Sequence, residues 1–297
     1  MKISPQATGR IIFPMAILLM LLPMTAFAQN KVVVIPLFDG ACASGTCKPL
    51  KNIVTVAKAN GMFTDPVAAL NSITDASVTN PYLVVIGPGV YTVTAPVVMK
   101  EWVDITGSGE NVTKIKGAIS TGDSSTSSII TGADNSALSL LTAENTGGGT
   151  YSMALYNGSA SPKVSAVTAR ASGGTYTYGI YNDHHSSPTM TDVNITASGV
   201  AFNRGVLNSN YSSPTMTGVT TTVSGGTANY GIYNATFSNP KVRQSAIYGG
   251  TNGLYVATGA TATASQSTIA NGVGGPGMKT CVACDNGEGV ALDLSCH

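Results

Sequence analysis

Asp183-His184-His185 is the one polar cluster that breaks the pattern of its surroundings. The matching positions further along carry Ser209-Asn210-Tyr211 and Ala235-Thr236-Phe237. A histidine beside a carboxylate can act as a base, and two histidines can begin a metal site. Adjacent histidines on one turn point apart, though, and no third ligand accompanies them. The cluster therefore reads as a solvated turn, and no metal is expected there. Together with Tyr178, Arg204 and Tyr230, these three residues form the set expected to meet a ligand. No catalytic residue and no cofactor is assigned.

Other chemistries can be tested in the same way. Glycoside hydrolysis needs two carboxylates flanking the scissile bond. Between residues 150 and 275 only Asp183 and Asp192 are acidic. Asp183 follows Asn182 in a turn and Asp192 lies beside Val193 on a strand, so they should occupy different corners. Elimination needs a basic residue and commonly calcium held by several acids. Arg170, Arg204 and Arg243 share no common spacing, and no acidic cluster is expected beside them. The five cysteines are Cys42, Cys47, Cys281, Cys284 and Cys296. Cys281-x-x-Cys284 with Cys296-His297 could form a zinc set, but adjacent Cys-His ligands converge poorly. In an exported chain disulfides are the default. Cys42 and Cys47 should then close a small loop, and two of the last three should pair, leaving one odd thiol. Thr189-x-Thr191 and Thr215-x-Thr217 suggest a flat threonine array of the ice-binding kind, but it is only two rungs long.

The element that must position these residues is a repeat. Pro162, Pro188, Pro214 and Pro240 stand 26 residues apart. Ser187-Pro188-Thr189-Met190-Thr191-Asp192-Val193 recurs as Ser213-Pro214-Thr215-Met216-Thr217-Gly218-Val219, and Tyr178-Gly179-Ile180-Tyr181-Asn182 as Tyr230-Gly231-Ile232-Tyr233-Asn234. Near Gly253-Leu254-Tyr255 the spacing shortens to about 22. Inside each unit apolar and polar residues alternate, which marks strands, and Gly, Asn and Pro punctuate them. Short strands stacked unit on unit imply a coil in which only stacking satisfies the exposed edges. The expected fold is all-β: a single-stranded right-handed parallel β-helix with a short N-terminal cap helix.

Stacking also predicts columns. Asn157, Asn182, Asn208 and Asn234 should lie above one another, hydrogen-bonding through their amides and tolerating left-handed turns. Tyr156, Tyr181 and Tyr233 should form a stack interrupted by Leu207. Gly179, Gly205 and Gly231 mark places where a side chain cannot fit or φ is positive. Asp65-Pro66 resembles a helix start, with Val67, Leu70 and Ile73 on one face.

The ends and the composition bound the rest. Lys2 and Arg10, the apolar run Ile11 to Leu22 and Ala26-Phe27-Ala28 read as an export signal over 1–28. The run is too short for a membrane span, and no cysteine follows the cleavage position as a lipoprotein anchor would require. Residues 29–80 are expected to cap the coil, 81–275 to form it, and 276–297 to make a cysteine-containing C-terminal cap. Net charge is +1 with 10% charged residues, which argues against a nucleic-acid partner. The protein is expected to be secreted, periplasmic or on the cell surface.

Phe63-Thr64-Asp65-Pro66-Val67-Ala68-Ala69-Leu70-Asn71, Ile86-Gly87-Pro88-Gly89-Val90-Tyr91, Val103-Asp104-Ile105-Thr106-Gly107-Ser108-Gly109 and Thr113-Lys114-Ile115-Lys116-Gly117 resemble the opening of pectinesterases. The resemblance implies a cap helix, a strand running into a Gly-Val-Tyr turn, and a first complete coil of the pectin-lyase-like fold. The remainder is similar to exported bacterial β-helix repeat proteins. The catalytic motifs of pectinesterases are absent, with no Gln-Asp and no Asp-Phe-Ile-Phe. Polygalacturonase motifs are absent too. The expected function is therefore a non-catalytic structural, adhesive or carbohydrate-binding role toward a polysaccharide or cell-surface component. The alternative is a polysaccharide-active enzyme.

Overall fold

The computed structural model describes residues 52–297. Cys42, Cys47 and the strand expected over 31–38 lie outside the described residues. The described chain is a right-handed parallel β-solenoid of about eight turns.

Each central turn is built from two bent stretches of strand. Lys163–Ser172 lies against Thr189–Ser198 in register, with Val164 beside Met190 and Ala169 beside Ile195. Tyr176–Asp183 lies against Tyr151–Gly158 on one side and Phe202–Asn208 on the other. The alternation read from the sequence is the reason: Met190, Val193, Ile195 and Ala197 are buried while Thr189, Asp192 and Asn194 are exposed. The register offset is 26 in the middle and 22 at Lys241 beside Thr263 and Tyr230 beside Asn252.

Two kinds of corner shape a turn. In the first, a single residue turns left-handed inside the longer strand: Leu140, Ala166, Asp192, Gly218, Gln244 and Gln266 occupy this place with φ between 46 and 65°. In the second, two consecutive residues do so after the other strand: His184-His185, Asn210-Tyr211 and Thr236-Phe237. The sequence reading placed the left-handed turn at the ladder asparagines. That is corrected: Asn182, Asn208 and Asn234 lie in extended strand, and the turn falls on the residues two and three positions later.

The asparagine ladder itself is present. Asn157 Nδ2 donates to Asn182 Oδ1 at 2.8 Å, Asn182 to Asn208 at 2.8 Å, and Asn208 to Asn234 at 2.7 Å, with all four residues fully buried. It stops where Gly132 precedes it and Val256 follows, and it leaves Asn157 Oδ1 and Asn234 Nδ2 without partners. The glycine column is steric. A Cβ on Gly205 would lie 2.5 Å from the Gly231 carbonyl oxygen, and one on Gly231 would lie 2.5 Å from that of Gly253.

The ends are closed differently. The helix Pro66–Ser72 has Asp65 as its N-cap, accepting from Val67 N at 3.0 Å, and Pro66 in its first turn. Ala69, Leu70 and Ile73 join the coil's core. At the other end Met278–Val282 pairs with Thr261–Ser265. The chain then folds back, with Leu292 N donating to Cys284 O and Cys281 N to Leu294 O. Cys281 and Cys296 are disulfide-bonded, and Cys284 is the buried odd thiol.

Candidate functional site

The strands at Tyr151–Gly158, Tyr176–Asp183, Phe202–Asn208 and Ala228–Asn234 belong to one parallel sheet. One face of this sheet contributes Leu155, Ile180, Val206 and Ile232 to the core. A solvated face would carry polar side chains opposite them. This one carries rings. Tyr151, Tyr176 and Phe202 stack at 5.3 and 5.2 Å between centroids. Tyr156 lies 5.4 Å from Tyr181, and beyond Leu207 Tyr233 lies 4.8 Å from Tyr255. Met153, Tyr156, Tyr178 and Leu207 form a small cluster separate from the main core.

Arg204 fills the rung where the ring pattern fails. It stands in register between Tyr178 and Tyr230. Its guanidinium lies 5.2 Å from the Tyr178 ring and 4.3 Å from the Tyr233 ring, and Nη1 donates to the Tyr178 hydroxyl at 2.9 Å. A guanidinium is attracted to aromatic ring faces, and this one lies over two. Its Nε is buried without a partner, and no carboxylate pairs with it among the described residues. Burial pushes the Tyr178 phenol up to about 12. Tyr181 is raised as well, by burial first and then by the Asp183 carboxylate.

Asp183, His184 and His185 sit at the end of this strand and on the turn after it. The reading of Asp183 as part of a solvated turn is corrected: it is the last strand residue and only 4% exposed. Its Oδ1 accepts from Asn210 Nδ2 at 2.7 Å, and its Oδ2 lies 2.8 Å from His184 Nδ1. The histidines are exposed and diverge in role. His184 pairs with Asp183, while His185 stacks on Tyr211 at 5.0 Å, which stacks on Phe237 at 5.2 Å. Tyr211 is 51% exposed and Phe237 57%. The sequence had aligned these three positions but did not reveal the stack, because a histidine, a tyrosine and a phenylalanine look like unrelated substitutions on a tolerant turn.

Sequence reasoning also missed a charged patch over the longer strands, to which a turn residue, Glu110, contributes. Glu110 Oε2 accepts from Thr168 Oγ1 at 2.9 Å and from Asn194 Nδ2 at 3.2 Å. Lys114 Nζ pairs with Glu144 Oε2 at 2.9 Å, and Glu144 is in register with Arg170. One acid, Glu144, thus stands beside Arg170, and the sequence reading passed over it. The reason is topological. Both acids precede the regular repeat, so a search confined to residues 150–275 passes over them. Asp192 stands apart from Asp183, at a left-handed corner of the longer strand. The threonine columns are as spaced: Thr189 and Thr191 lie over Thr215 and Thr217, with Lys241 and Arg243 next. No group of three or more metal-ligating side chains occurs among the described residues.

No protein-family model matches the chain, and no curated protein matches it. Among solved structures it is similar to the Dettilon tailspike protein, at 11% identity and a TM-score of 0.51, over 77% of this chain and 47% of that one. It spans about half of that tailspike's length. Pectin methylesterase from carrot aligns at 16% identity and a TM-score of 0.46, over 75% of this chain and 84% of that one. The catalytic domain of a GH87 alpha-1,3-glucanase aligns at 15% identity and a TM-score of 0.49, over 81% and 55%. At such identities the likeness is one of fold, the parallel β-helix.

Proposed function

We propose that this protein is an exported, non-catalytic β-helix that binds polysaccharide on its aromatic sheet face. In this reading residues 1–28 direct export, the coils over 81–275 carry the face, and the two ends close it. One observation carries the proposal. The outward side of the Tyr151–Gly158 sheet lines up tyrosines and Phe202, with Tyr151, Tyr176 and Tyr233 half-buried and Phe202 exposed, where a merely solvated sheet presents polar groups. Tyrosine combines an apolar body with a hydroxyl, which suits a ligand that is itself amphipathic, such as a sugar ring with its apolar C–H face and polar rim.

The test is retention on insoluble polysaccharides, followed by titration with soluble fragments. Binding that falls on Tyr176→Ala together with Phe202→Ala supports the proposal. Absence of binding to every polysaccharide tried removes it.

A second reading has its own observation. Glu110, Glu144, Lys114 and Arg170 bring acids and bases to a different face of the coil. New reducing ends, methanol release or unsaturated products from acidic glycans, abolished by Glu110→Gln or Glu144→Gln, would make the protein an enzyme.

A further inference from the structure

His185, Tyr211 and Phe237 share three properties that stability alone does not account for. All three are bulky residues held at φ of 64, 65 and 60°. This left-handed conformation is unfavourable for a side chain with a Cβ, free for glycine and better tolerated by asparagine. All three are exposed, so their rings gain little from burial. And they recur rung after rung at 5.0 and 5.2 Å, nearly parallel, with interplanar angles of 8 and 17°. Mutual stacking recovers part of this cost. A strained, exposed and periodic feature is the profile of a binding element.

Its neighbours define what it would bind. The adjacent column carries His184, Asn210 and Thr236, also left-handed. Asn210 is braced by the buried Asp183 carboxylate at 2.7 Å. The strip is therefore two columns wide and three rungs long, one column of ring edges and one of polar groups. Before it stand Ser159 and Ala160. After it Gly259 packs against the Phe237 ring, where a Cβ would lie 3.0 Å from Phe237 Cε1, and brings no ring of its own to continue the column. A ligand lying on the strip must present an apolar surface beside a polar edge, and must repeat once per rung along the solenoid axis.

We propose that this strip binds an extended, equatorially linked polysaccharide chain running parallel to the solenoid axis, one sugar to each rung. In such a chain the sugars recur at close to the rung spacing, each offering axial C–H groups on one side and equatorial hydroxyls at its edge. A chain with axial linkages coils and loses register after one sugar. The inference rests on the carbohydrate-binding reading above and adds to its sheet face a second surface, on the turn beyond it, with one geometry of chain.

The experiment is a calorimetric titration with two oligosaccharide series, from disaccharide to hexasaccharide. One is β-1,4-linked (cello- and xylo-oligosaccharides) and the other is α-1,4-linked (malto-oligosaccharides). The expected result is an affinity that rises with each β-linked sugar as far as the trisaccharide, then levels off. The α-linked series should bind at least tenfold more weakly. Tyr211→Asn keeps a residue suited to the left-handed turn and should lose at least tenfold in affinity at an unchanged melting temperature. Tyr248→Ala, an exposed tyrosine on the other sheet, should bind as the wild type does. Equal binding of both series, or affinity indifferent to Tyr211→Asn, overturns this inference while leaving polysaccharide binding intact. No binding of either series by a protein that does bind insoluble polysaccharide also overturns it. Failure of all glycans removes the underlying reading as well. Concentration-dependent dimerisation abolished by Tyr211→Asn would instead assign the strip to a second copy of the chain.

Discussion

Asn182 Nδ2 donates to Asn208 Oδ1 at 2.8 Å, although the two residues are 26 apart and both are fully buried. Each amide in this column donates to the next, so an interior member serves two neighbours and a terminal member one. Asn208→Ala orphans the Asn182 donor and the Asn234 acceptor. At about 1–3 kcal/mol for each buried unsatisfied group, it should cost about 2–6 kcal/mol. Asn234→Ala orphans only the Asn208 donor and removes an atom already unpartnered, so it should cost about half as much. Denaturant melts of the two variants check the ratio.

Gly205→Ala should be damaging despite the small change. The added methyl would meet the Gly231 carbonyl oxygen at 2.5 Å, and that oxygen belongs to the stacked backbone, which cannot turn aside. Overpacking of this kind costs about 1–3 kcal/mol. Gly122→Ala, where a Cβ meets nothing, is the control.

Alkaline pH should loosen the aromatic face. Burial pushes Tyr178 from 10.0 to about 12, so the folded state keeps a proton that the unfolded chain gives up near pH 10. Its contribution is full below pH 10 and is lost as pH climbs toward 12, by about 2–3 kcal/mol at most. Phenolate absorbance followed with a stability curve should show the loss beginning near pH 10. Tyr178→Phe should remove that part of the pH dependence.

Reduction should open the C-terminal end first. The Cys281–Cys296 bridge closes 15 residues, and constraining such a loop is worth about 3 kcal/mol. Hydrogen exchange after mild reduction should rise over 283–297 and leave Tyr151–Gly158 protected.

Legibility from sequence divides along a physical line. The prolines at 162, 188, 214 and 240 and the asparagines at 157, 182, 208 and 234 are repeated because stacking demands the same residue on every rung, and identity at a fixed spacing can be read directly. The helix at Pro66 was legible through its cap chemistry. The ring stack His185–Tyr211–Phe237 was not, because stacking there conserves flatness and not residue type. Nor was Glu110, whose partners Thr168 and Asn194 are 58 and 84 residues away, outside any repeat spacing. Asp183 was misjudged because a carboxylate following a strand looks solvated until the Asn210 amide one rung on is seen to cover it.

The two unsatisfied atoms at the ends of the asparagine column, Asn157 Oδ1 and Asn234 Nδ2, have a consequence for how such a chain changes length. Duplicating one unit within the column adds a donor and its acceptor together and leaves the same two orphans. Deleting one takes a matched pair away. The penalty is thus independent of how many turns the column has. Gain or loss of a unit would lengthen or shorten the coil in whole turns at almost constant cost per turn, and any surface laid along it would grow or shrink in the same steps.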